Sequence, residues 1–170
     1  VPGVVWRDGG EVEFTGWEKP RLELDSLPFP AYHKLQGFPH SYPLPIFSYP
    51  SSPATSVVSS RGCPYNCTYC FNHALGELYR GKGKRFRQQS VDYVLEDIGR
   101  VRDRYPLEFV VFVDDTFVLS KEWLVEFAEK YPQKIGLPFF CNTRANLVTA
   151  EQVRLLKEAG CHCVSMGIET

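Results

Sequence analysis

From Ala54 onward, short runs of consecutive apolar residues alternate with stretches in which apolar residues recur every three or four positions. That is the pattern of buried strands separated by amphipathic helices. Residues 55–60 read as a first strand. Ser90 stands as the N-cap of a helix whose Val91, Val94, Leu95, Ile98 and Val101 fall on one face, and the helix ends near Tyr105-Pro106. Residues 107–113 are apolar apart from Glu108, as expected of a strand covered on both faces. Ser120 starts a second helix carrying Trp123, Leu124, Phe127 and Ala128, and residues 137–141 form the next strand. Thr149-Ala150-Glu151-Gln152 has the capping-box pattern and opens a helix through Val153, Leu155 and Leu156 that stops at Gly160. Residues 161–168 make a fourth strand.

Four strands joined by helical crossovers predict an α/β fold with a parallel sheet and right-handed connections. The first 54 residues have a different texture. Around the turn signal Asp8-Gly9-Gly10, an apolar run and the alternating Glu11-Val12-Glu13-Phe14 predict a β-hairpin, which needs a neighbour for stability. Between Pro20 and Pro53 lie eight of the thirteen prolines. Proline removes ladder donors and restricts the residue before it, so this stretch reads as an extended connector with its aromatics laid on a neighbouring surface. The expected divisions are a tail at 1–19, a Pro-rich linker at 20–54 and an α/β core at 55–170.

A hydrophobic content of 44% with 23% charged residues is that of a soluble globular chain, and no run of some 18 apolar residues could span a membrane. A net charge of −1 gives no general attraction to nucleic acid. The local basic stretch Arg80-Gly81-Lys82-Gly83-Lys84-Arg85-Phe86-Arg87 could meet phosphates or an acidic partner, but its glycines and lack of period favour a solvated loop.

Directly after the first strand come Cys63, Cys67 and Cys70, at C-x3-C-x2-C spacing. Three thiolates on one loop can hold a [4Fe–4S] cube while leaving one iron open to another ligand. Zinc is the competing ligand, yet structural zinc sites come from two knuckles and no second knuckle follows. Cys161 and Cys163, two apart in an apolar run, are expected on one face of a strand. With Cys141 they read as buried small residues. A disulfide framework fits poorly with a chain of this size in which three of the six cysteines crowd one loop.

Function in parallel α/β sheets collects at the C-terminal strand ends. Here the cysteine loop follows strand one, Asp114-Asp115-Thr116 strand two, Asn142-Thr143-Arg144 strand three and Glu169-Thr170 strand four.

The cysteine motif, with Tyr69 before its last cysteine, resembles the radical S-adenosylmethionine (radical SAM) superfamily. Its flanks, Ser60-Arg61-Gly62 and Pro64-Tyr65-Asn66, are similar to the branch that carries an upstream cobalamin-binding domain. Further likeness lies in Phe112-Val113-Asp114-Asp115-Thr116-Phe117, Cys141-Asn142-Thr143-Arg144-Ala145-Asn146, Ala159-Gly160-Cys161 and Gly167-Ile168-Glu169-Thr170. Pro2-Gly3-Val4-Val5-Trp6-Arg7-Asp8-Gly9-Gly10 and Asp25-Ser26-Leu27-Pro28-Phe29-Pro30 resemble the domain tail and linker of that branch. Glu169-Thr170 departs mildly from the Glu-Ser of that branch. No Asp-x-His-x-x-Gly cobalamin motif occurs.

The resemblance implies the first four strands of a partial parallel (β/α)6 barrel, and hence a segment of a longer protein. It implies a [4Fe–4S] cluster on Cys63, Cys67 and Cys70, with S-adenosylmethionine cleaved reductively to a 5'-deoxyadenosyl radical. Asp114 and Asp115 match positions that meet the methionine ammonium. Asn142 and Arg144 match those that reach the ribose or methionine carboxylate, Glu169 the ribose hydroxyls and Tyr69 the adenine. Cobalamin would sit in the upstream domain, and the implied activity is that of a cobalamin-dependent methyltransferase or an oxidoreductase or cyclase. The alternatives are a radical enzyme without cobalamin, of the methylthiotransferase kind, and an iron–sulfur electron-transfer module. The implied partners are a small-molecule or lipid substrate and a reductant such as flavodoxin or ferredoxin, in a cytoplasmic setting.

Overall fold

Asp8-Gly9-Gly10 turns the chain as its composition predicts. In the computed structural model, which describes residues 3–16, 19–35, 40–42 and 52–168, β1 (Val5–Asp8) and β2 (Glu11–Phe14) pair antiparallel across this turn. Gly9 and Gly10 hold φ of 54° and 96°, the two left-handed positions of a type I′ hairpin turn. The hairpin belongs to a smaller unit made of residues 1–22 and 64–85; residues 23–63 and 86–170 form a larger one. The smaller unit also holds α1 (Phe71–Leu78), which starts directly after Cys70.

The larger unit is built on a five-stranded sheet. Its strands are β3 (His40–Tyr42), β4 (Ser52–Val57), β7 (Phe109–Phe112), β8 (Phe139–Arg144) and β9 (Cys161–Gly167), in that spatial order. The last four run parallel, as the alternation of strand and helix predicts. A two-residue ladder between β5 (Ser60–Arg61) and β6 (Arg87–Gln88) sits beside the sheet.

Three helices line one face. In α2 (Val91–Arg102), α3 (Lys121–Lys134) and α4 (Ala150–Glu158) the predicted N-caps are all in place. Ser90, Ser120 and Thr149 accept from the amides of Tyr93, Trp123 and Gln152, and the Gln152 side chain closes the box on the Thr149 amide at 3.0 Å. Thr149→Ala removes the hydroxyl that accepts from the Gln152 amide, leaves the backbone half of the box in place and is expected to cost about 1 kcal/mol, read as a lower denaturant midpoint with an unchanged slope.

Against these helices lies an aromatic core. Phe127 stacks on Trp123 at 5.0 Å and meets Phe112 and Phe139 edge-on at 5.6 Å each. Tyr131 is fully buried in the same cluster and donates its hydroxyl to the Leu137 carbonyl at 3.0 Å, which satisfies its one polar atom. The opposite face of the sheet carries Ala54, Phe109, Val111 and Phe140.

Four features differ from expectation. Strand β3 lies within the Pro-rich connector, where the proline-free window between Pro39 and Pro43 leaves donors enough to pair antiparallel with β4. The first predicted strand divides into β4 and β5 instead of running unbroken over 55–60. Strand β8 continues through Asn142, Thr143 and Arg144, which pair with Ser165, Met166 and Gly167 instead of leaving the sheet.

Cys161 and Cys163 do not share a face. The register slips between Phe139 and Phe140, so Cys161 pairs with Phe139 and packs on the helix-side core, whereas Cys163 pairs with Phe140 on the other side. A bulge adds one residue and reverses the alternation beyond it. Both cysteines are half-buried, while Cys141 is fully buried as expected.

Residues 25–32 of the connector lie along α2. Phe29 stacks on Tyr93 at 4.5 Å and carries the Arg100 guanidinium at 4.2 Å on its ring. Asp25 accepts from the Ser90 amide at 3.0 Å, and Tyr32 donates to Asp97 at 3.0 Å. Among the described residues, no helix is long and apolar enough to cross a membrane.

Candidate functional site

Each strand of a parallel sheet ends in backbone groups that its neighbours do not use, and the chain fills those ends with polar side chains. Strand β7 is followed by Val113, whose amide donates to the Val57 carbonyl at 2.9 Å and carries the ladder to its last rung. Asp114 comes next and turns inward. Only 1% exposed, it accepts from the Ser59 amide at 3.2 Å, from the Ser59 hydroxyl at 3.0 Å and from the Ser60 hydroxyl. Burial pushes its carboxyl above the ordinary carboxylate value, and the hydrogen bonds from Ser60 and Ser59 oppose that rise. The segment leading from β4 to Cys63 is thereby anchored on the end of β7.

Asp115 is exposed, so the two neighbouring carboxylates have different settings. Asn142 is half-buried. Its amide nitrogen donates to the Asp114 carbonyl at 3.3 Å, and its own backbone carbonyl accepts from the Phe117 amide at 2.9 Å. Arg144 ends β8 opposite Gly167 and is half-buried. Glu169 lies outside the described residues. Thus Asp115, Asn142 and Arg144 occupy neighbouring strand ends of one sheet, while Asp114 is committed to Ser59 and Ser60. The serine pair carries no signal in the sequence beyond lying between the strand and the cysteines.

Cys63 closes the larger unit's share of the cysteine loop and is a half-buried free thiol. In the smaller unit, Cys67 and Cys70 are free, half-buried thiols joined by one turn. The Cys70 amide donates to the Cys67 carbonyl at 3.0 Å, and the Cys70 carbonyl accepts from the His73 amide at 3.0 Å to start α1. Tyr69 between them is 75% exposed. Among the described residues, no three His, Cys, Asp or Glu side chains are drawn into a preformed metal site. The donor chemistry still fits a thiophilic cluster, since all three residues carry unoxidised sulfur and none is sealed in a core.

The downstream cysteines differ in kind. Cys141 is paired with the Cys161 sulfur and buried, and together these push its thiol far up and keep it protonated. The Cys161 thiol lies 3.5 Å from the Cys163 carbonyl.

The match to protein families decides what this edge belongs to. Residues 57–170 match the model of the radical SAM superfamily. The chain belongs to the radical SAM superfamily. It is 29% identical over 174 residues to an uncharacterized methyltransferase of Pyrococcus horikoshii, covering 100% of this chain and 34% of that protein. It is 26% identical over 196 residues to the cytidylyl-2-hydroxyethylphosphonate methyltransferase of Streptomyces wedmorensis, covering 100% of this chain and 35% of the relative. The chain thus spans about a third of the length of these curated relatives. Among solved structures it is similar to TsrM of Kitasatospora setae, a radical S-adenosylmethionine methyltransferase with cobalamin and a [4Fe–4S] cluster bound. The TM-score is 0.53 at 23% identity, over 67% of this chain and 22% of that one. That likeness supports the fold: the sheet of β4, β7, β8 and β9 is the first part of a radical SAM barrel.

Proposed function

We propose that Cys63, Cys67 and Cys70 hold a [4Fe–4S] cluster and that the strand-end residues bind S-adenosylmethionine, in the service of a cobalamin-dependent methyl transfer. The observation that carries this reading is the three-thiol loop following β4 in a chain of this superfamily. When bound, the cluster supplies the electron that cleaves the sulfonium C–S bond.

The work of the chain's own residues is orientation. Asp115 is the exposed carboxylate of the pair and suits the methionine ammonium, whereas Asp114 sets the path of the chain into Cys63. Arg144 suits a carboxylate through a charge-assisted pair. Asn142 keeps its side-chain oxygen for a hydroxyl donor, because only its nitrogen is spent on Asp114. Glu169 suits the ribose hydroxyls, and the exposed ring of Tyr69 offers a face to the adenine.

Methyl transfer is favoured over oxidative chemistry because the two relatives described above are named methyltransferases. In the same reading, residues 1–19 are the tail of a cobalamin-binding domain, 20–54 a linker and 55–170 the start of the radical SAM core. The substrate is a small molecule or lipid, the reductant a flavodoxin or ferredoxin, and the setting a reducing cytoplasm.

Low-temperature EPR of the intact, anaerobically reconstituted and dithionite-reduced protein tests the proposal. A [4Fe–4S]+ signal that changes shape on adding S-adenosylmethionine is the expected result. A signal indifferent to that cofactor would reassign the chain to electron transfer. Zinc at one equivalent without any cluster would sink both readings.

A further inference from the structure

The basic stretch after α1 does not simply face solvent. Arg85 folds back onto the cysteine loop of its own unit. Its Nη1 donates to Asn66 Oδ1 at 2.6 Å, and its Nη2 donates to the Tyr65 carbonyl at 3.1 Å and to the Asn72 carbonyl at 3.4 Å. Those acceptors bracket the turn: Tyr65 and Asn66 precede Cys67, and Asn72 follows Cys70.

The approach depends on a missing side chain. A Cβ placed on Gly76, inside α1, would fall 2.6–2.8 Å from the Nη2, Cζ and Nε atoms of Arg85. Such a separation is well inside van der Waals contact, so only glycine lets the guanidinium lie against this helix. Glycine weakens a helix interior relative to alanine. Its presence in an eight-residue helix is therefore explained by the close approach and not by helix formation.

We infer that Arg85 is a positioning residue that locks the backbone from Tyr65 to Asn72, so that Cys67 and Cys70 are presented in a fixed arrangement before iron arrives. A planar guanidinium with forked donors can hold three acceptors at set angles, whereas a lysine ammonium on its flexible stem holds them poorly. The consequence for iron rests on the proposed cluster site. The lock itself does not.

The test therefore has two arms on the intact protein. In the first, without iron, hydrogen exchange is followed at the Cys70 and His73 amides, which donate within the locked turn. Arg85→Ala and Gly76→Ala are each expected to speed that exchange by about tenfold or more, as the turn opens locally. Arg85→Lys should fall between them and the wild type, and the Tyr93 amide in α2 should not change. Gly76→Ala displaces the guanidinium while favouring helix, so an effect there cannot be laid to loss of α1. Asn66→Ala added to Arg85→Ala should produce less than the sum of the single effects. In the second arm, the reconstituted variants should lose iron to a chelator faster than wild type in the same order. Unchanged exchange at Cys70 and His73 in both Arg85→Ala and Gly76→Ala would overturn the inference. Faster exchange in a protein whose wild type takes up no cluster would keep the lock and discard the proposed function.

Discussion

Replacing Cys63, Cys67 and Cys70 together by alanine is expected to abolish iron–sulfur binding, and each single replacement should come close to doing so. Outer-shell changes at metal sites commonly cost about 10–100-fold in affinity, so removing a donor atom from a set of three should exceed that range. The contrast with the remaining cysteines makes the prediction specific. Cys141 is fully buried, and its Cys161 neighbour and burial push its thiol upward, which makes it a poor ligand for a metal cluster. Cys161 packs against the helix-side core and Cys163 against the opposite face, which the bulge in β9 separates. Cys161→Ser should therefore leave iron and sulfide content unchanged. Iron and sulfide per chain, with visible absorption, read both results. Full iron content in the triple variant, or loss in Cys161→Ser alone, would show that the ligands had been misassigned.

The same comparison shows which features of a sequence report on a site. The N-caps at Ser90, Ser120 and Thr149 were legible because each rests on local spacing within a turn or one helical repeat, and the spacing that proposes the three cysteines as ligands is local in the same way. The parallel sheet was legible from the alternation of apolar runs with helical periods. Features that depend on distant partners were not. Asp114 looks like any strand-end carboxylate until Ser59 and Ser60, more than fifty residues earlier, come to rest on it. Arg85 reads as one charge in a basic run, and Gly76 as a weak spot in a short helix, until the two are seen to touch. Asn142 and Arg144 follow an apolar run and resemble a loop. They remain in β8 because β9 supplies the ladder to Gly167. The bulge that sends Cys161 and Cys163 to opposite faces has no signature in residues 161–163, since it arises from the register against Phe139 and Phe140.

Asp114 is also where the second large effect is expected. Asp114→Ala strips the acceptor from the Ser59 amide and from the Ser59 and Ser60 hydroxyls, on residues 0% and 6% exposed. A buried donor left unsatisfied costs about 1–3 kcal/mol, and partial relaxation should hold the total near 3 kcal/mol, or a fall of about 6–12 °C in Tm. Because Ser59 and Ser60 lie just before Cys63, the variant should also release iron faster than wild type. Asp114→Asn keeps the shape and one acceptor and should lose much less. Its pH dependence is the sharper test. Burial raises the folded carboxyl above its ordinary value near 3.9, so the folded chain holds a proton that the unfolded chain has already released. Stability from the protonated group is whole below that ordinary value and is lost as pH rises through the raised one. Asp97, raised by burial as well, titrates in both proteins and cancels in the comparison. As pH increases across the window, the stability difference between wild type and Asp114→Asn should therefore shift in favour of the variant. A shift in the opposite direction would mean that the Ser59 and Ser60 hydrogen bonds outweigh burial, and that Asp114 is held as a carboxylate in the folded protein.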